Sequence, residues 1–321
     1  WDGTNWSAAP TMSTARSGIR GAGTTAAALD VGGNPNLTAV EEWDFTSTIA
    51  AGAWASGTDM STDRSGGSSA GTQTATIAYG SPSANVETYD GSSWTEVNNV
   101  NVARANALGC GTQTAALFAG GSPTVDSSEE WNGTSWTEGD DMNTGRGQVN
   151  SSGIQTNALI FGGAPGLKTD TEAYDGSSWT TGGSLNAGRR YIEGAGATST
   201  AALGFGGNTS NPGSGYSAAN ESYDGSSWTE IADINTARFG AASCGTQTLA
   251  LIMAGHASGG PTQNTEEWDG SSWTEVANTS VANSDSSGTG TQAAAIKMGG
   301  TPATIVEVYT KAVAASSFTS S

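Results

Sequence analysis

The segment Ala115-Ala116-Leu117-Phe118-Ala119-Gly120-Gly121 runs on to Glu129-Glu130-Trp131 and ends at Asn132-Gly133-Thr134-Ser135-Trp136. A short apolar run closed by small residues reads as a buried strand, and the acidic-aromatic triplet reads as a strand beside it. Asn-Gly tolerates positive φ and marks a tight hairpin into the next strand. The same order returns along the chain, with Ala158-Leu159-Ile160-Phe161-Gly162-Gly163 and Ala294-Ala295-Ile296-Lys297-Met298-Gly299-Gly300 as further copies of the apolar run. Asp90-Gly91, Asp175-Gly176, Asp224-Gly225 and Asp269-Gly270 repeat the turn. Trp6, Trp54, Trp94, Trp136, Trp179, Trp228 and Trp273 close the copies, spaced about 44 residues apart.

Ten residues after each of the first six Trp stands an arginine: Arg16, Arg64, Arg104, Arg146, Arg189 and Arg238, with Asn283 in the seventh place. The small-residue stretch that follows reads as a crowded inner strand, and Gly111-Thr112-Gln113-Thr114 reads as the turn into the apolar run. Each repeat therefore reads as four strands, with the Trp of the last covering the seam between repeats. A period of this length fits the blade of a β-propeller. The last copy, Asn283 to Thr310, has three strands and no Trp strand, whereas the chain begins with a Trp strand, Trp1 to Ala8, that has no blade of its own. The expectation is an all-β fold: one seven-bladed propeller over 1–310, closed when residues 1–8 complete the last blade, so that no long sheet edge is left open. The repeats lie at about 16–54, 64–94, 104–136, 146–179, 189–228, 238–273 and 283–310, and residues 311–321 form a Ser/Ala-rich tail expected to run along the propeller or to meet a partner.

The order Arg, apolar run, Gly-Gly, acidic-Tyr/Trp, Trp resembles the kelch repeat over essentially the whole chain. Gly-Gly becomes Gly80-Ser81 and Gly255-His256 in two copies. The near-identical Tyr-Asp-Gly-Ser-Ser-Trp-Thr units are similar to kelch-like repeats of virion and tail-fibre proteins of marine bacteriophages. That resemblance implies a virion location, with other virion or surface proteins as partners. Kelch propellers also include copper radical oxidases, whose copper takes more than one His together with Tyr and Cys. This chain has one His, His256, so that activity is excluded.

The net charge of −19 with 11 Lys plus Arg disfavours nucleic acid and anionic membranes as partners. No run approaches the length of a membrane span, so no membrane insertion is expected. No zinc spacing, P-loop or dinucleotide fingerprint is present, and no metal or cofactor is expected. The prominent acids Glu42, Glu130 and Glu267 recur with the repeat, which suits the fold better than a glycosidase pair, so no catalytic residue is assigned. Cys110 and Cys244 hold the same place in repeats three apart and read as buried free thiols, too distant to bridge.

Two candidate sites remain. Arg16, Arg64, Arg104, Arg146, Arg189 and Arg238 would converge at one axial opening, where they either fasten blades through acids and carbonyls or bind an acidic glycan or peptide. The acids named above lie on the third strand, so incomplete internal pairing and residual positive potential are expected. The second candidate is the loops that depart from the repeat, Phe45 to Ala53, Asn208 to Ala219 and His256 to Asn264, with Tyr216 and His256 as their contact-capable side chains. The expected function is a non-enzymatic binding or structural module, carried on a phage virion appendage that touches the host. The alternative is a secreted or cell-surface bacterial propeller that binds glycan or protein.

Overall fold

Alternation of small and apolar residues over five-residue stretches forces short, twisted strands. The third repeat shows the pattern: Leu108–Thr112, Ala115–Ala119, Ser128–Trp131 and Trp136–Glu138 pair in that order as an antiparallel sheet. The computed structural model describes residues 52–81, 83–211, 215–301 and 305–311, and the strands Arg20–Gly23, Ala27–Val31, Val40–Asp44 and Ser317–Ser320. Seven four-stranded antiparallel sheets of this kind are present, with no helix among the described residues. The architecture is all-β and propeller-like.

The turn before the Trp strand is longer than a two-residue hairpin. Trp131 pairs with Trp136, leaving four residues between them, of which Gly133 takes positive φ (92°). The Asn132 Oδ1 accepts the N–H groups of Thr134 and Ser135, each at 2.9 Å. A side-chain acceptor that captures two backbone donors substitutes for the positive φ a tighter turn would require at Asn132.

The chain divides into two units, Gly52–Thr310 and a second made of 1–51 with 311–321. In the larger unit six sheets close on themselves. The second residue of each Gly-Gly position donates its N–H to the carbonyl of the next blade's Arg: Ser81 to Arg104, Gly121 to Arg146, Gly163 to Arg189 and Gly207 to Arg238, at 2.8 to 3.0 Å. Gly255 donates to Asn283 in the same way, so that Ala254-Gly255 and not Gly255-His256 holds the Gly-Gly place in that blade, and Gly300 donates to Arg64 at 2.7 Å, which completes the circuit. The first position is tight, since a Cβ on Gly120 (φ 68°) would stand 2.4 Å from the Arg146 carbonyl oxygen, although one blade carries Ala254 (φ 57°) at the equivalent place. The glutamines of the turns repeat the circuit further along. Gln113 donates to the Tyr89 carbonyl of the preceding blade (2.7 Å), and Gln73 to that of Tyr309 (2.6 Å).

Apolar packing follows the same neighbour-to-neighbour rule. Trp136 lies edge-on to Tyr79 of the preceding blade, Trp228 to Phe161, and Trp273 to Phe205, with ring centroids 4.9 to 5.0 Å apart. The Trp rings cover the seams, as their spacing implies. Cys110 and Cys244 are buried free thiols, both raised to about 12 by burial.

Closure differs from the expectation. The place beside Val306–Thr310 is taken by Ala53–Ser56, with Trp54 opposite Tyr309, and not by residues 1–8, which lie outside the described residues. Six sheets thus complete the ring of Gly52–Thr310, where seven were expected. The seventh sheet belongs to the other unit: Arg20–Gly23, Ala27–Val31 and Val40–Asp44, with the tail strand Ser317–Ser320 in the outer place. The repeat set at 16–54 is therefore split, and the tail is a strand of that sheet. The physical reason is that any Trp-type strand can pair with any third strand, since both carry the same alternation.

Trp54 packs on Tyr309 (5.0 Å between centroids) and donates its indole N–H to the Ala277 carbonyl at 2.8 Å. Trp54→Ala should destabilise the ring by about 2 kcal/mol, less than a fully buried aromatic because Trp54 is half-buried. Urea unfolding followed by Trp fluorescence measures it, and an unchanged midpoint would contradict closure by this strand.

Candidate functional site

Each described repeat arginine is buried and faces a glutamate of its own blade. Arg64 meets Glu87 (3.2 Å), Arg104 Glu129 (3.3 Å), Arg146 Glu172 (2.5 Å), Arg189 Glu221 (2.5 Å) and Arg238 Glu266 (2.9 Å). Side-chain exposure on both partners is 3% or less. Backbone carbonyls take further donors: Gly80 from Arg64, Phe118 from Arg104, Asp170 from Arg146, Gly206 and Ala219 from Arg189. Arg16 lies outside the described residues.

The expectation of residual positive potential is thereby corrected for these five, each buried against a carboxylate, while pairing is incomplete as expected, since the Nε groups of Arg64, Arg104, Arg189 and Arg238 find no hydrogen-bond partner among the described residues. The partner acid is one residue earlier than Glu130 and Glu267. Adjacent strand residues point to opposite faces. Glu129 and Glu266 therefore turn toward the arginine, while Glu130 accepts the Tyr174 hydroxyl (2.7 Å) and Glu267 the Tyr309 hydroxyl (2.8 Å). Glu42 sits in Val40–Asp44 of the smaller unit, opposite Leu29 and Thr319.

The glutamate also holds the loop that enters its blade. Glu172 accepts the N–H of Asn143 (2.7 Å) and of Thr144 (3.2 Å), and Glu266 accepts those of Asn235 and Thr236 at 2.6 and 3.1 Å. Burial alone would raise the Glu87 carboxyl, yet the Ser61 N–H and hydroxyl, Arg64 and Thr62 hold it below the ordinary value. Burial pulls the arginine pKa values of Arg64, Arg104, Arg189 and Arg238 down against the attraction of their partners.

The last blade builds the pair differently. Asn283 stands at the arginine place and donates to the Gly299 carbonyl (2.9 Å), while its Oδ1 accepts Lys297 Nζ (3.0 Å). Lys297 Nζ also meets Glu307 at 2.9 Å. The cation has moved from the entering loop to the second strand, and a lysine inside an apolar run was the sequence sign of it.

The mouth of the ring at the arginine end is different in character. Two residues after each arginine place the chain turns through positive φ: Gly66 (71°), Asn106 (52°), Gln148 (55°), Tyr191 (49°), Gly240 (61°) and Asp285 (57°). Their backbones link around the axis, Asn106 N–H to Gly66, Gln148 to Asn106, Tyr191 to Gln148, Gly66 to Asp285 and Asp285 to Gly240, at 2.7 to 2.8 Å. These residues border a cavity of about 90 Å³ that is open to solvent.

Beside it the two longer loops bring together the second candidate pair. Asn208 bridges Arg190 on one side and Tyr216 on the other, and His256–Ala257 pairs with Arg238–Phe239. Tyr216 and His256 are near-parallel (6°) at 5.9 Å, Tyr216 and Phe239 lie 5.6 Å apart, Phe239 and His256 5.3 Å, and Tyr191 and Phe239 5.8 Å. All four rings are half-buried. Tyr191 and Phe239 were missed because they follow the arginines, in what read as strand. The residues one and two past the arginine vary from copy to copy while their surroundings repeat, and that was the available signal. The loop Phe45 to Ala53 lies largely outside the described residues.

Below the mouth Glu193 lines the same void, 2% exposed, accepting the Ala241 N–H (2.7 Å) and the Asn150 amide (3.0 Å). Burial pushes it up to about 8 despite those bonds and Arg238. No group of three or more metal-ligating residues occurs among the described residues. Comparison with protein-family models and with curated protein sequences found no match to this chain.

Arg146→Met leaves Glu172 buried without its cation and should cost about 3–5 kcal/mol, whereas Arg146→Met with Glu172→Leu should recover most of that. Chemical denaturation of the two variants measures the difference, and equal losses would deny that the pair acts as a unit.

The raised pKa of Glu193 has a definite sign. Between its unfolded value near 4.5 and about 8 the folded chain holds a proton that the unfolded chain has lost, so stability declines as pH rises through that window and levels off above it. Glu193→Gln should match the parent near pH 4 and melt higher by about 3 °C or more at pH 8.5. Thermal scans across pH check it, and parallel profiles would refute the assignment.

Proposed function

We propose that this protein is a non-enzymatic binding module of a phage virion appendage, a tail fibre or similar structure, that contacts the host surface through the mouth bordered by Gln148, Tyr191 and Asp285. The observation that carries this reading is convergence. In a chain of near-identical repeats, the side chains that break the repeat, Tyr191, Tyr216, Phe239 and His256, gather at one place. Binding specificity on a rigid scaffold concentrates in such loops. The repeated carboxylates support a non-catalytic role, because Glu87, Glu129, Glu172, Glu221, Glu266 and Glu307 each pair with a cation of the fold. The virion setting and the kelch-like character rest on the repeat style, the low content of cations and the Gly-rich polar composition. Other virion proteins are the expected partners in that setting.

Particles purified on a density gradient should contain the chain by mass spectrometry, and labelled protein should bind host cells several-fold better than a Phe239→Ala/His256→Ala variant. Recovery of the chain only from particle-free medium would overturn the virion assignment. Host binding unaffected by the double change would overturn the mouth as the contact.

A further inference from the structure

Resting on that reading of the mouth, we propose that its ligand is a neutral saccharide: an uncharged hexose unit of a surface glycan, laid against the Tyr191, Phe239, His256 and Tyr216 rings. The three stacked pairs among Tyr216, Phe239 and His256 set this cluster apart. Aromatic pairs between blades stand edge-on, Tyr79 to Phe118 at 80°, Phe161 to Trp228 at 63° and Phe205 to Trp273 at 61°. Across the mouth the interplanar angles are 6°, 17°, 21° and 31°. Because all four rings are half-buried, the cluster leaves apolar ring surface facing solvent beside the mouth. The C–H face of a pyranose is flat and apolar and matches such a surface, and its rim of hydroxyls needs partners that both donate and accept.

Those partners border that surface. Gln148, Asn106 and Asp285 project from the linked backbone turns, and the Tyr216 hydroxyl lies 3.4 Å from His256 Nδ1. Glycine serves at two of the six equivalent turn positions, Gly66 and Gly240. Positive φ costs a non-glycine residue on the order of 1 kcal/mol, so side chains retained at the other four are held there against the backbone preference. The two glycines make room for their neighbours, since a Cβ on Gly66 would stand 2.3 Å from Asn106 Oδ1 and one on Gly240 2.9 Å from Asp285 Oδ1.

Charge decides against an acidic ligand. The five described repeat arginines are buried against glutamates, and Arg190 donates to Gln148 Oε1 at 3.4 Å and lies over the Tyr191 ring. Asp285 at the rim and a chain of net charge −19 oppose a uronate or sulfate. A hydroxyl-bearing neutral sugar meets no such penalty.

The full chain should be titrated by calorimetry with uncharged gluco-, manno- and galacto-oligosaccharides, and in parallel with alginate and heparin oligosaccharides. Tyr191→Gly removes the ring at a backbone position where glycine already serves twice, so the fold is expected to survive, and circular dichroism melting verifies it. At least one neutral series should bind, with affinity lowered tenfold or more by Tyr191→Gly and by Phe239→Ala and within about threefold for Tyr191→Phe; tenfold corresponds to about 1.4 kcal/mol. Binding confined to the acidic oligosaccharides and lost in Tyr191→Gly would overturn the neutral assignment while leaving the mouth as the site. Neutral binding indifferent to Tyr191→Gly and Phe239→Ala would overturn the mouth itself. Absence of binding to either set would overturn the saccharide as ligand.

Discussion

The buried arginine–glutamate pair is the interaction on which the ring depends. One carboxylate receives the guanidinium and the two backbone N–H groups of the loop that enters its blade, as Glu172 does with Arg146, Asn143 and Thr144. Because the arginine is held there, its own carbonyl is fixed in position to accept the N–H of the preceding blade, as Arg146 does from Gly121. A charge pair inside one blade thereby sets the contact between two. Burying such a pair is costly in desolvation, and the ion contact together with the backbone hydrogen bonds around it offsets that. The variant in the last blade, Lys297 with Asn283 and Glu307, preserves both halves of the arrangement with different residues. What is retained is the cation, the acceptor and the carbonyl, and not the arginine as such.

The same loops carry the mouth. Arg189 leads directly into Arg190 and Tyr191, and Arg238 into Phe239 and Gly240. A residue that follows a buried arginine paired to a glutamate has little freedom, so the rings at the mouth are presented on a stiff support. The insertions in the two loops then add Tyr216 and His256 from outside through short bridges at Asn208 and His256–Ala257. Structural residues and contact residues thus alternate within three positions. Substitution of the contact residues can proceed without touching the pair beneath them, which is how near-identical blades come to differ at one spot.

Much of the blade was legible in the sequence. The small-residue inner strand, the apolar second strand, the acidic-aromatic third strand and the Trp strand are where their spacing put them, because each is a local consequence of alternation and turn chemistry. The Trp rings at the seams and the buried thiols follow from the same local reasoning. The choice between Glu129 and Glu130 was not legible in the same way. Two adjacent acids on a strand are equivalent in sequence, and only the face presented to the entering loop separates them. The glutamines of the turns read as turn residues, although their amides reach carbonyls of the preceding blade, as Gln113 does at Tyr89.

By itself, the sequence determined an all-β chain of repeated four-stranded sheets with crowded inner strands and aromatic seams. The number of sheets in the ring was decided by tertiary structure. Every junction between blades is made of the same bonds, so the period is indifferent to whether six or seven copies close. The decision lies in the turn from one blade to the next, about 60° for six and about 51° for seven. That angle is set by how closely Gly300 approaches the Arg64 carbonyl and by how Ala53–Ser56 fits beside Val306–Thr310. The fate of the arginines was decided in the same way: a cation at a strand entrance becomes a fastener or a ligand site according to what packs over it, and here five glutamates did.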